Sequence, residues 1–323
     1  ASPDRVAPVG TAPLARIPRS RYKSDEVRGG TGTFPAAAVV PRQGMKTVRA
    51  PAEMAALFER AEEMVSGYFG RLRHDPERGV IEVLGERYVL VRAASLSVEF
   101  FGLVRELYGP DRQAEADDFA RNLLFDLAHA VGRTDARRLH ERMKIDDPLA
   151  KLAAGPVHFS HTGWAFVDIH PDSRPVEGDE YLLIYDHPYS FEASAWLEQK
   201  ARAAFPVCIM NAGYSSGWCE VSFGRPLVAS EILCRARGDE ACRFVMAPPE
   251  RIEERVLRYL DGRPALAERV RGYQIPDFFA RKRMEEDLRR ARDDLERRVA
   301  ERTAELEDSN RRLQEEMRVR QQL

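Results

Sequence analysis

The sequence predicts an α+β fold: a mixed domain of antiparallel strands and packed helices, followed by a C-terminal helix that leaves it. Three observations carry this. Apolar residues recur at helical spacing in some segments and fall in short strand-like runs in others. PLVASEILCRA and EACRFVMA pair as a hairpin across Arg237-Gly238-Asp239, with a cysteine on each arm. From Arg281 the chain becomes mostly Arg, Glu, Asp and Gln, a composition suited to a solvated helix rather than a core.

Composition narrows the function classes. A chain of 323 residues suffices for one large or two modest domains. A net charge of −2 supplies no global field toward nucleic acid or membrane, so no direct contact with either is expected. There is no apolar run of about 18 residues to span a bilayer. The first residues, ASPDRVAPVG, lack the basic stretch and apolar core of a secretory signal. Four cysteines are too sparse for a disulfide scaffold, and a reducing, cytoplasmic location follows as the expectation.

The elements follow in order. Residues 1–50 are rich in Pro, Gly and small residues and read as an irregular arm. GGTGTF at 29–34 has no Lys-Ser/Thr after it and does not read as a phosphate loop. Met54, Leu57, Phe58, Ala61, Met64 and Val65 predict a helix over 51–73. GVIEVLGERYVLVRA, 79–93, reads as a hairpin around Gly85. Helices follow over 94–109 and 114–142, the second with Phe119, Leu123, Leu124, Leu127, Ala128 and Val131 on its apolar face. WAFVDIH (164–170) and YLLIYDH (181–187) read as strands. Residues 191–205 and 207–222 read as helices, with Pro206 in the first turn of the latter. A short helix is expected at 250–262. From 277 to 323, Leu288, Ala291, Leu295, Val299, Arg302, Leu306, Asn310, Leu313 and Met317 repeat every eleven residues, the period of a nearly straight coiled coil. Asn310 in that seam can fix register and oligomer state.

The cysteines raise a metal question. Cys208 and Cys219 share one predicted helix, so their Cα atoms stand roughly 16 Å apart. Ligands on one zinc, each about 2.3 Å from it, cannot span that distance, and one of the two must be excluded. Cys208 sits at the helix start, where a thiolate is favoured. Cys208, Cys234 and Cys242 are one ligand short, and Glu231 is the nearest candidate. In a regular strand Glu231 and Cys234 point to opposite faces, so a shared metal requires a bulge near Ile232-Leu233. On spacing alone, buried free thiols remain the favoured alternative.

Three stretches carry a resemblance: CIMNAGYSSGWCEVSFGRPLVASEILCRARGDEACRFVMAPPERI (208–252), GPVHFSHTGW (155–164) and YSFEA (189–193). With them, residues from about 80 to 262 resemble the ligand-sensing domain of the 4-vinyl reductase superfamily. Within it they most resemble the aromatic-sensing N-terminal domains of sigma-fifty-four-dependent activators of the XylR/DmpR type. The resemblance implies a structural zinc on Cys208, Glu231, Cys234 and Cys242, and a buried pocket for a small aromatic or apolar molecule. Its wall would draw on Phe125, Phe159, Trp164, Phe166, Tyr181, Ile184, Tyr185, His187, Tyr189, Trp196 and Ala229. The phenol-sensing members anchor the ligand through a His and a Trp, which fall here at Phe159 and His187, and a pocket Tyr of theirs falls at Ala229. The departure at all three implies a different ligand, with the polar handle moved to His187.

Catalysis has little support: no nucleophile elbow or Ser-His-Asp spacing is present, and GYSSGW sits on a predicted helix. A second metal on His158, His161, His170 and His187 is disfavoured, because His158 and His161 would face opposite ways on a strand. ERRVAERTAELEDSNRRLQEEMRVRQQL (296–323) resembles the connecting helix in front of sensory or histidine-kinase modules, implying a two-component kinase or cyclic-dinucleotide output. The chain then divides into an irregular arm (1–50), a dimerising helical and hairpin part (51–145), a vinyl-reductase-like part for ligand and zinc (146–265) and a signalling coiled coil (266–323). The expected function is a non-catalytic, homodimeric sensor input module, joined through the 51–145 part and the coiled coil. An enzyme of the vinyl-reductase type and a thiol/zinc redox sensor are the alternatives.

Overall fold

The structure, a computed structural model, describes residues 47–200, 203–270 and 277–322, all within one unit that begins at Pro41. Most of the expected N-terminal arm, including GGTGTF, therefore lies outside the described residues. The described chain opens with β1 (Val48–Arg49) and α1 (Ala55–Phe69), whose buried Phe58, Ala61, Val65 and Tyr68 keep the helical spacing. The hairpin expected around Gly85 gains a third strand. β2 (Leu72–Asp75), β3 (Val80–Val83) and β4 (Glu86–Tyr88) form an antiparallel sheet. Leu84 and Gly85 both take positive φ, 49° and 87°, the two-residue turn whose twist matches a hairpin. The last strand stops at Tyr88, short of the expected Ala93, and Val89, Leu90 and Val91 are exposed.

Helices α2 (Val98–Tyr108) and α3 (Gln113–Met143) follow. α3 corrects the expected face. Its buried side includes Ala116, Ala120, Leu124, Phe125, Ala128, Gly132, Ala136 and Leu139, whereas Phe119, Leu123, Leu127 and Val131 are 36–49% exposed. The reason is the partner helix, α6 (Ile209–Phe223), which carries the small, buried residues Ala212, Gly213, Ser216 and Gly217. Small residues on both helices let the backbones approach closely, and the large side chains of α3 are left on the other side. A methyl group at Gly213 would overlap the Phe125 carbonyl oxygen, and one at Gly217 that of His129.

A second correction concerns 155–164. Most of that stretch belongs to helix α4 (Pro148–His161), not a strand. Asp147 caps it, accepting a hydrogen bond from the Ala150 N–H at 2.8 Å, and Pro148 occupies its first turn. His158 and His161 are thus one helical turn apart and both lie against the Phe69 ring, at 5.2 and 4.8 Å.

The main sheet has the order β1-β5-β6-β8-β7, built from β5 (Val167–Ile169), β6 (Leu183–His187), β7 (Val228–Leu233) and β8 (Cys242–Ala247). β1 pairs with β5 in parallel, and the other pairs are antiparallel. α5 (Phe191–Glu198) ends short of the expected 205, with Lys200 in a left-handed conformation at φ 55°. Pro206 precedes α6 rather than sitting in its first turn. α7 (Ile252–Leu260) and α8 (Pro264–Arg269) lead to α9 (Asp277–Gln322), a 46-residue helix.

The α3–α6 contact generates a stability prediction. Gly217→Ala places a methyl against a backbone carbonyl that cannot rotate away, and the unfolding free energy should fall by about 1–3 kcal/mol. Denaturant unfolding measures it; an unchanged midpoint would contradict the close approach.

Candidate metal centre and ligand pocket

Cys208, Glu231, Cys234 and Cys242 are buried together, with one ligand atom from each lying within 4.8 Å of all the others. A helix start and a hairpin deliver them. Cys208 is the residue before the first turn of α6. Glu231 lies in β7, Cys234 follows that strand, and Cys242 opens β8. The register of β7 on β8 passes from Glu231–Phe244 to Leu233–Arg243, so Ile232 is an extra residue. This bulge turns Glu231 and Cys234 toward the same side. A single 3-10 turn over Arg235–Arg237 and Gly238 at φ 102° close the hairpin. Asp239 locks that turn, its carboxylate accepting the Cys234 N–H at 2.8 Å.

The polar contacts are those of a metal site. Glu231 Oε2 accepts the Cys208 N–H at 2.8 Å, while Oε1 is buried with no hydrogen-bond partner. Cys208 Sγ lies 3.5 Å from Cys242 Sγ and 3.1 Å from Ser190 Oγ. The Arg235 N–H donates to Cys242 Sγ at 3.4 Å. Burial pushes the Glu231 carboxyl and the Cys208 thiol up. A divalent cation would reverse this by favouring the ionised forms. Three thiolates, one carboxylate and an orphaned carboxylate oxygen fit such an ion, and four protein ligands leave no position open for substrate or water. Cys219 is outside this group. It is buried in α6 with its thiol pushed up to about 12 by burial.

A cavity of about 40 Å³ lies between α4, α6 and the sheet. Leu152, Gly155 and Phe159 line it from α4, Tyr185 and His187 from β6, and Tyr214, Ser215, Trp218 and Cys219 from α6. Phe159 packs on His187 and Tyr214 at 5.4 and 5.1 Å between ring centres. Its polar atoms are few. The Tyr185 and Ser215 hydroxyls hydrogen-bond at 2.6 Å. Neither ring nitrogen of His187 has a hydrogen-bond partner, although the residue is 1% exposed. Burial holds the His187 pKa down at about 3, so the ring is neutral, one nitrogen a donor and the other an acceptor.

The structure brings Phe159, Tyr185 and His187 of the sequence-derived wall to this cavity and leaves the rest elsewhere. Trp164 stacks behind Phe159 and Tyr214 and faces an outer groove with Tyr88 and Asp135. Phe125 is buried on α3, and Trp196 packs against Phe101 and Phe205. Tyr181 is buried, its hydroxyl 3.7 Å from Met246 Sδ. Ile184 is buried in β6, one residue out of phase with Tyr185. Ala229 is buried in β7, and its N–H donates to Ser216 Oγ. Phe166 and Tyr189 meet edge-on, with Tyr189 71% exposed.

Sequence reasoning missed the contributions of α4 and α6, and it missed Glu192. This buried carboxylate accepts the N–H groups of Met210 and Asn211 at 3.0 and 2.9 Å, fixing the start of α6 beside Cys208. Burial, partly offset by those bonds, raises its pKa to about 8. Its signal was the YSFEA stretch, which carries the resemblance without pointing to a role for the Glu.

Comparison with known proteins points the same way. A family model described as the vinyl-4-reductase domain matches residues 189–248, from the residue before the Ser190 cap to just past β8. Over 165 residues the chain is 26% identical to the transcriptional regulatory protein XylR of Pseudomonas putida, covering 50% of this chain and 27% of that protein. Over 95 residues it is 27% identical to the phenol regulator MopR of Acinetobacter guillouiae, covering 29% of this chain and 17% of that one. The matched region is thus a minor part of each regulator's length. The crystal structure of the phenol-responsive sensory domain of the transcription activator PoxR with phenol shares the fold, with a TM-score of 0.50 and 22% identity. That match covers 65% of this chain and 98% of the other.

Separate variants test the cluster. Cys219→Ser should retain one metal equivalent per chain, whereas Cys234→Ser should lose it on mild chelation. Elemental analysis after gel filtration reads both; equal retention by the two variants would contradict the four-residue set.

Proposed function

We propose that this chain is the input module of a signal-transduction protein, sensing a small aromatic or apolar ligand in the cavity beside a structural zinc. The observation that carries the reading is the cavity itself. Its walls are aromatic and aliphatic, and its one wholly unpartnered buried polar side chain among the described residues lining it is His187. Such pockets bind apolar ligands through their walls and orient them by a few polar groups. Similarity to the regulators XylR and MopR supports a sensing role rather than turnover.

The ligand class follows from the cavity. A dry cavity of about 150 Å³ holds a benzene ring; the present one is about 40 Å³. A ring therefore enters only as the walls part, and binding is coupled to a conformational change. A ligand biases that change only by its differential affinity for the two states. His187 selects a neutral molecule with one hydrogen-bonding group, since a charge would be desolvated without a counter-charge. Zinc on Cys208, Glu231, Cys234 and Cys242 would tie α6 to the hairpin, and Cys208, Cys234 and Cys242 are buried thiols unsuited to rapid redox exchange.

Output would pass through α9. At roughly 69 Å it is far longer than the body requires, and Leu288, Leu295, Val299, Leu306, Leu313 and Met317 along it are more than half exposed. A second copy in parallel register covers such a stripe, with Ala291, Arg302 and Asn310 completing the seam. The exposed Phe119, Leu123, Leu127 and Val131 of α3 provide an apolar surface for the same dimer in the 51–145 part. Kinase or cyclic-dinucleotide chemistry would belong to a joined output domain. No helix among the described residues is long and apolar enough to cross a membrane. The cytoplasm, which keeps thiols reduced, suits the three-cysteine site.

Titrating the zinc-loaded protein with monocyclic aromatics that carry one hydroxyl or amide should change Trp218 fluorescence with micromolar affinity. His187→Phe should weaken the best of them by about tenfold, or ~1.4 kcal/mol. Absence of binding across the set, or affinity indifferent to His187, would contradict the reading. For the dimer, Leu306→Cys should cross-link between copies under mild oxidant; a chain that stays monomeric on denaturing gels would exclude the parallel seam.

A further inference from the structure

Side chains alternate between the two faces of a strand, and in β6 and β8 this separates two sets of residues. The cross-strand pair His187–Cys242 places a cavity residue opposite a member of the cysteine cluster. The next pair along, Asp186–Arg243, faces the other way. There the guanidinium makes a bidentate contact with the carboxylate, Nε to Oδ1 at 2.7 Å and Nη2 to Oδ2 at 2.6 Å. Its remaining nitrogen, Nη1, donates to the Tyr259 hydroxyl at 3.2 Å.

Tyr259 is the last buried residue of α7, after Ile252 and Val256 at helical spacing. Beyond the turn at Gly262, Arg263 holds it from the other side. The Arg263 guanidinium lies 4.3 Å over the Tyr259 ring, and Nη1 donates to the Tyr259 carbonyl at 2.6 Å. Arg263 Nη2 pairs with Asp172. An unbroken series of contacts thus runs from β6 to the segment that leads to α8. α7 has a second anchor, Arg255, which donates to the Asp179 carbonyl and pairs with Glu180, both at 2.9 Å, in the loop before β6. One end of α7 is therefore tied to the strands that carry His187 and Cys242, and its middle to a loop. A cleft of about 450 Å³ beside Asp186, Arg243, Tyr259 and Arg263 leaves space for the strand-side anchor to move.

We propose that Asp186, Arg243 and Tyr259 are positioning residues that couple the cavity and cysteine face of the sheet to α7, and through it to the C-terminal helix. The proposal rests on the sensing role above. Asp186 is covalently next to His187 and Arg243 next to Cys242, so a shift of either strand at the inner face moves the ion pair on the outer face. A planar guanidinium held by two parallel hydrogen bonds passes on orientation as well as position. The Tyr259 hydroxyl carries it to the helix end, and α7 pivots on Arg255.

The test needs no ligand. In the full zinc-loaded chain, the cavity is perturbed from inside by His187→Ala or, more gently, Phe159→Leu. Amide hydrogen exchange is then followed over residues 252–266. Each cavity variant is made in the wild-type and the Tyr259→Phe background, and circular dichroism checks that each is folded. The cavity substitutions should speed α7 exchange about tenfold in the wild-type background and less than twofold once the hydroxyl is gone, a coupling read by the double-mutant cycle. Arg243→Lys, which keeps the charge but not the fork, should give an intermediate coupling. A residue that merely stabilised α7 would raise the baseline exchange and leave the coupling unchanged. Equal acceleration in both backgrounds, or no α7 response to either cavity variant, overturns the proposal. A negative result here would leave ligand binding standing, and failure of aromatics to bind would leave a positive coupling intact.

Discussion

The extra residue at Ile232 in β7 is the constraint on which the rest of the site depends. Without it, Glu231 and Cys234 would face opposite sides of the sheet. With it, both meet Cys242 across the hairpin and Cys208 at the start of α6. Glu231 then does a second job, accepting the Cys208 N–H and so docking the helix start on the strand. Glu192 docks it from the other direction through two further N–H groups. One helix is thereby fixed at its first turn, and everything it carries inherits that position. Gly213 and Gly217 face α3, while Tyr214, Ser215, Trp218 and Cys219 face the cavity.

The cavity stores an unmet interaction. Leaving buried polar atoms without hydrogen bonds costs on the order of 1–3 kcal/mol, and His187 leaves two nitrogens so. The surrounding rings close the space to a size below that of an aromatic molecule. A ligand that parts the rings and satisfies His187 gains on one count what it loses on the other, which is the balance a sensor needs. The aromatic contacts extend outward from there: Phe159 to Trp164, Trp164 to Tyr214, and the Tyr214 hydroxyl to Asp135 at 2.9 Å and His158 at 3.0 Å. A change at the cavity is therefore felt on the α3 side as well as along the sheet.

How much of this was legible in the sequence depended on whether a local rule and the tertiary contact agreed. They agreed in α1, in the cysteine hairpin and in the distance that keeps Cys208 and Cys219 from sharing a site, which helix rise alone requires. The need for a bulge between Glu231 and Cys234 also followed from strand periodicity. They disagreed at α3, where hydrophobicity favours Phe119, Leu123 and Leu127 but the close partner helix favours small residues. They disagreed again at α4, whose Gly155 and Pro156 read as breakers. Gly155 is there because the Trp218 indole lies where its side chain would be. Missing that helix hid Leu152 and Gly155 as cavity walls and kept Trp218 from consideration. Trp196 and Tyr181 looked like wall residues because aromatic content alone does not say which side of a helix or strand meets the space.

The central claim is that three thiolates and one carboxylate hold a zinc that joins α6 to the hairpin beneath the pocket. X-ray absorption at the zinc edge on the purified chain measures this most directly. The account predicts a first shell of three sulfur atoms at about 2.3 Å and one oxygen or nitrogen-weight atom at about 2.0–2.2 Å, with the oxygen lost in Glu231→Ala. A metal-free protein, a four-sulfur shell that includes Cys219, or a shell unchanged by that substitution would contradict it.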